Sequence, residues 1–151
     1  MDAEQLKKLS DILHADSKSE VVKLVQSINA EDELFVLLDN YNWDNGFEVP
    51  EAIINHPNCT LSLALLAFYR ADGLRYLFEG EDAFANPLSK SWEIFIKGVY
   101  DKILKEQYPN GSISYQPEIT NIQKFKLKKL HPNLSSFILD GISGKDIHIL
   151  L

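Results

Sequence analysis

The chain has 151 residues, 45% of them hydrophobic and 25% charged, and its 15 basic against 22 acidic side chains leave a net charge of -7. This is an ordinary globular composition with room for one sizeable core, and it excludes the strongly basic balance of a nucleic-acid binder. The single cysteine, Cys59, excludes an internal disulfide and suits a reducing compartment. No apolar run approaches the ~18 residues of a membrane span, and Met1-Asp2-Ala3-Glu4-Gln5 is too acidic and polar to open a signal peptide. The expectation is one cytoplasmic domain, residues 1–151, helical over 1–108 and β-containing over 109–151.

Taken in order, the first 41 residues read as three short helices. Leu6, Leu9, Ile12 and Leu13 make one apolar face. Ser17 and Glu20 fit a capping box ahead of a stripe at Val21, Leu24, Val25 and Ile28. Asn29 can cap a third helix, with Glu31, Asp32 and Glu33 at its positive end and Leu34, Leu37, Leu38 and Tyr41 on its buried face. Asp44-Asn45-Gly46 then signals a turn, and Pro50 suits the first position of a brief helix that His56-Pro57-Asn58 stops.

Thr60 can cap a long run from Leu61 to about Phe78, apolar on nearly every side at first and therefore central. Gly73 suggests a break or a close helix contact within it. Gly80 to Pro87 reads as a loop. The stripe Trp92, Phe95, Ile96, Val99, Tyr100, Ile103 and Leu104 marks a helix, with Glu93–Lys97 and Lys102–Glu106 paired on its outer face. Beyond Tyr108 the alternation Phe125-Lys126-Leu127-Lys128 reads as a strand, with a helix over 119–130 as the alternative. Phe137-Ile138-Leu139 and Ile147-His148-Ile149-Leu150 complete a small β element. The fold class is mainly α: about six helices in two layers, with that β element at the carboxyl-terminal end.

Charge is uneven along the chain. Residues 1–60 hold 12 acids against 4 lysines, whereas residues 61–151 hold 10 acids against 11 basic side chains, among them the cluster Lys124, Lys126, Lys128 and Lys129. An acidic half can steer the molecule to a basic partner.

The residues able to carry chemistry fall between 43 and 72: Asp44, Glu48, Glu51, His56, Cys59 and Asp72. A zinc site needs three or four converging ligands, and His56 with Cys59 lacks a second ligand pair, so no metal is expected. Cys59 near His56 and ahead of a helix could be an activated thiol, but the apolar residues that follow point to burial and a raised pKa. Asp44 and Glu48 could form an acid/base pair; an Asp in such a turn more often bonds the turn itself. No phosphate-cradling glycine loop is present, so neither a nucleotide nor another cofactor is expected.

The block Asn42-Trp43-Asp44-Asn45-Gly46-Phe47-Glu48-Val49-Pro50, followed by Ile53-Ile54-Asn55-His56-Pro57-Asn58-Cys59 and Ala71-Asp72-Gly73, resembles a bacterial domain-of-unknown-function family, number 4274, over about residues 34–80. The resemblance implies a bacterial source and a small α-rich domain without an established reaction. The His-Pro-Asn corner is also similar to that of variant leucine-rich helical repeats, although no repeated copy follows. Gly46, Pro50, His56, Pro57, Asn58, Cys59, Asp72 and Gly73 are thus expected to shape the corner between helices. Small acidic proteins without a cofactor are often immunity proteins, so a non-enzymatic protein binder that occludes a toxin is the expectation. Trp43 and Phe47 would be its anchors, and Asp44, Glu48, Glu31, Asp32 and Glu33 its acidic contacts. The alternatives are a hydrolase-like site at Asp44, Glu48, His56 and Cys59, or a structural adaptor.

Overall fold

The computed structural model describes residues 1–151, and it contains nine α-helices and no sheet. Helix α1 (Ala3–Leu13) starts at a full capping box between Asp2 and Gln5 and buries Leu9 and Ile12. Helix α2 (Lys18–Gln26) begins at Ser17, whose hydroxyl accepts the Glu20 N–H at 3.4 Å; only this leg of the expected box is formed. Helix α3 (Glu31–Asp39) buries five consecutive residues, Leu34 to Leu38. Its N-cap is Ala30 rather than Asn29, because the Asn29 carbonyl instead accepts the Asn58 side-chain amide at 2.7 Å.

Helix α4 (Glu48–Ile54) opens two residues before Pro50, which therefore stands at its third position. The ring costs little there, since no N–H of the first turn has an intrahelical acceptor. The long apolar run divides into α5 (Leu61–Arg70) and α6 (Gly73–Glu79). The break is at Asp72, whose left-handed backbone (φ 64°) redirects the chain. Gly73 supplies the expected close approach: a Cβ there would lie 2.5 Å from the Phe68 carbonyl oxygen and 2.6 Å from its ring. The expected loop after α6 is wound into two 3₁₀ turns, Gly80–Phe84 and Pro87–Ser89.

Helix α7 (Lys90–Leu104) buries Phe95, Ile96, Val99 and Ile103. On its outer face Lys97 meets Glu93 at 3.6 Å as expected, but Lys102 reaches Asn55 instead of Glu106. Helix α5 is the hub of the molecule, packed against α3, α4, α6 and α7, while α2 lies on α4 and α1 touches α2 and α3. Seven of its residues from Ser62 to Phe68 are buried, as an all-round apolar helix requires. Thr60 does not cap it through its side chain; the first-turn N–H of Leu61 donates to the Pro109 carbonyl at 2.9 Å.

The strand expected at 125–128 does not form, and the helix weighed as its alternative over 119–130 does. Residues Asn121–Leu130 form helix α8, opened by a second full capping box between Thr120 and Gln123. Only Leu127 of that helix is buried, so the alternation around it never acquired a sheet face to serve. Phe137-Ile138-Leu139 is likewise helical, in α9 (Ser136–Asp140). What pairing exists is two isolated bridges, Ile113 with Lys145 and Tyr115 with Ile142. The division of the long run at Asp72 and the two late helices account for nine helices instead of about six.

Candidate functional site

The corner between α3 and α5 is built by short-range bonds. The Asn42 side chain accepts the Asp44 N–H at 3.0 Å, so Asn42 and not Asp44 closes the turn. Gly46, at φ 95°, takes a conformation open to glycine, and its carbonyl accepts from the Tyr41 hydroxyl at 2.8 Å. Burial, and after it the nearby Glu48 carboxylate, push the Tyr41 phenol up to about 12, which keeps it a donor. Trp43 is half-buried, edge-on to Tyr41, Phe47 and Phe95 with centroids at 5.6, 6.4 and 5.9 Å. Phe47 stacks on Phe95 at 5.0 Å. Both expected anchors are therefore packed against the core, and Phe47 also lines a surface groove.

His56 and Cys59 are both buried. The His56 Nδ1 accepts the Asn58 N–H at 3.0 Å, and the His56 carbonyl accepts the Cys59 N–H at 3.0 Å. With Nδ1 an acceptor, the neutral ring carries its proton on Nε2. Pro57 and Asn58 are exposed on the outside of this corner, and the Asn58 amide ties it to the α2–α3 link. Burial pushes the Cys59 thiol up to about 12, against a smaller lowering by Lys102 and a further rise from Glu31. Cys59 packs within the hydrophobic core as a small apolar group. No three His, Cys, Asp or Glu side chains converge to hold a metal ion.

Above the corner lies a groove of about 370 Å³ lined by Gly46, Phe47, Glu48, Glu51, Ser91, Ile94 and Phe95. Phe47 and Phe95 form its aromatic wall, and Ile94 stands 60% exposed beside them. Glu48 and Glu51 are exposed on its rim and also border a neighbouring groove that reaches Gln26, Asn55 and His56. Lys18 is the only cation within 4.0 Å of Glu48, at 3.9 Å with both side chains more than half exposed, and Glu51 has none within that distance, so the rim is negative.

The three acidic candidates on α3 have internal partners. Glu31 accepts from both the N–H and the hydroxyl of Ser112 at 2.9 Å, clasping the carboxyl-terminal segment. Asp32 accepts the Glu33 N–H at 2.9 Å, and Glu33 accepts from the Gln5 side chain at 3.3 Å, holding α1. Asp44 is exposed on the 3₁₀ turn Trp43–Asn45, and Asp72 is exposed at the α5–α6 break. Of the expected acidic contacts, only Glu48 lines the groove. Ser91, Ile94 and Phe95 come from α7, more than forty positions along the chain. Ile94 carried a signal of its own: it is an apolar residue off the buried stripe of α7.

No helix is long and apolar enough to cross a membrane. No curated protein and no solved structure matches the chain. A family model described as a domain of unknown function, DUF4274, matches residues 29–104, from the link before α3 to the end of α7. That span holds the corner, the groove and the hub helix, and it covers half of the chain: the protein belongs to the family of domains of unknown function DUF4274.

Proposed function

We propose that this chain is a non-enzymatic binding protein, a bacterial immunity protein that acts in the cytoplasm and neutralises a toxin by covering its active site. The observation that supports this reading is the apolar groove under a Glu48–Glu51 rim. Its aromatic wall offers an anchoring pocket, and the two carboxylates select a basic occupant, the surface a nuclease presents to its substrate. Covering such a surface requires neither metal nor cofactor.

The test is co-purification with the product of the adjacent open reading frame, followed by a binding isotherm. The expected result is micromolar or tighter affinity, weakened roughly ten-fold or more by E48K/E51K. No binding to any neighbouring product at that level would refute the reading.

A further inference from the structure

Helix α8 lies outside the family span and presents an unpartnered face of mixed character. Ile122, Phe125 and Leu130 are 68, 60 and 55% exposed, three large apolar side chains on one ten-residue helix. At about 100° per residue they share an arc with Lys126 and Lys129. Lys124 is paired with Asp140 at 3.3 Å, whereas Lys126, Lys128 and Lys129 have no carboxylate within 4.0 Å. The Lys129 ammonium lies 4.6 Å from the centroid of the Phe125 ring. Clustered exposed apolar groups of this kind mark a contact surface.

We propose that this face docks a second copy of the chain, with Phe125 entering the groove beside Phe47 and Ile94 and with Lys126 and Lys129 meeting Glu48 and Glu51. The complement is present on the same molecule: a basic apolar ridge on α8 and an acidic apolar groove between α4 and α7. The groove, at about 370 Å³, admits an aromatic ring, and its rim carries the sign opposite to the ridge. A lipid surface fits less well, because lysines sit inside the apolar arc instead of flanking it. The net charge of -7 opposes an anionic membrane, a nucleic acid and a second copy alike, but only the copy offers the lysines Glu48 and Glu51 beside an apolar groove. Ridge and groove are different patches, so the contact is heterologous and propagates unless it closes into a ring. The inference does not depend on the toxin reading, although a copy and a toxin would exclude each other from the groove.

Sedimentation of the purified chain alone, over a concentration series at low and high salt, tests the contact. The expected result is a weight-average mass that climbs above 17.2 kDa with concentration and falls back with salt. F125D, at an exposed position that leaves folding intact by circular dichroism, weakens association roughly ten-fold or more. K126E/K129E and E48K/E51K each remain monomeric alone, and mixing the two restores association. A constant monomer mass for the wild type, or association indifferent to F125D and to the charge swaps, overturns the proposal. So does a monomeric chain whose α8 lysines instead bind phosphatidylglycerol vesicles or an oligonucleotide. F125D is retained in toxin binding if the immunity reading holds, so the two readings fail separately.

Discussion

Residues 29–104 and residues 105–151 are held in place by different forces. In the first region α5 has apolar neighbours on every side: Phe68 is fully buried, stacks on Tyr100 at 5.3 Å and stands edge-on to Tyr69 at 5.2 Å. In the second, few side chains are fully buried, and the segment is tied down by directed bonds to the core. Ser62 donates to the Ile113 carbonyl, Tyr69 to that of Ile138 and the Asn40 amide to that of Ile149, while the His131 ring bonds the Leu77 carbonyl. Glu31 holds Ser112 from the other side, yet its Oε2, the Thr60 hydroxyl and the Tyr108 hydroxyl are buried there without a hydrogen-bond partner. Apolar burial accumulates over the whole of a surface, whereas each hydrogen bond adds only about 1 kcal/mol net. The segment 105–151 should therefore open locally before the core yields.

Three substitutions probe that contrast. Phe68→Ala removes the largest fully buried side chain of the hub and is expected to cost about 3–5 kcal/mol, read as a lower urea midpoint for the whole chain. A loss below about 1 kcal/mol would show that the core is not centred on α5. Glu31→Ala cuts both bonds to Ser112 and is expected to cost about 1–2 kcal/mol. Its mark is faster amide exchange over 109–115 with the exchange of α5 unchanged; equal acceleration in α5 would mean that core and segment unfold together. Thr120→Ala removes one leg of the α8 capping box and is expected to cost about 1 kcal/mol, confined to amides of 121–130. A drop in the global midpoint of the same size would remove the distinction between the two regions.

The readable and unreadable parts of the chain follow the same division. Helices α1, α2 and α7 were legible because each buries one stripe, and a stripe at a 3.6-residue period is written in the residue order; α3 was legible from its apolar run Leu34 to Leu38, all of it buried. The all-round apolar character of Leu61–Phe68 announced the hub, and Gly73 announced the contact with Phe68. Helix α8 was misread because Phe125-Lys126-Leu127-Lys128 alternates, although Phe125 faces solvent and only Leu127 faces the core. Two signals pointed the other way: the Thr120–Gln123 box, and a run of lysine, leucine and glutamine, which are good helix formers. The site was half legible. Glu48 and Phe47 belong to a recognisable local motif, but Ile94 and Phe95 join them only across the packing of α7 onto the core. The acidic run Glu31-Asp32-Glu33 looked like a surface feature and is partly a fastening, since its partners Gln5 and Ser112 lie far off in sequence.

The residue order by itself determined a helical domain with α5 at its centre, the corner at His56-Pro57-Asn58, and a family membership resting on residues 29–104. These depend on local periodicity, backbone preference and side-chain type, which neighbours in the chain can express. Tertiary structure decided which carboxylates are fastened inside and which remain on a rim, and it turned the expected β element into α8, α9 and two bridges. Those outcomes depend on which distant groups come within a few ångströms, and hydrogen bonding and burial act only at that range.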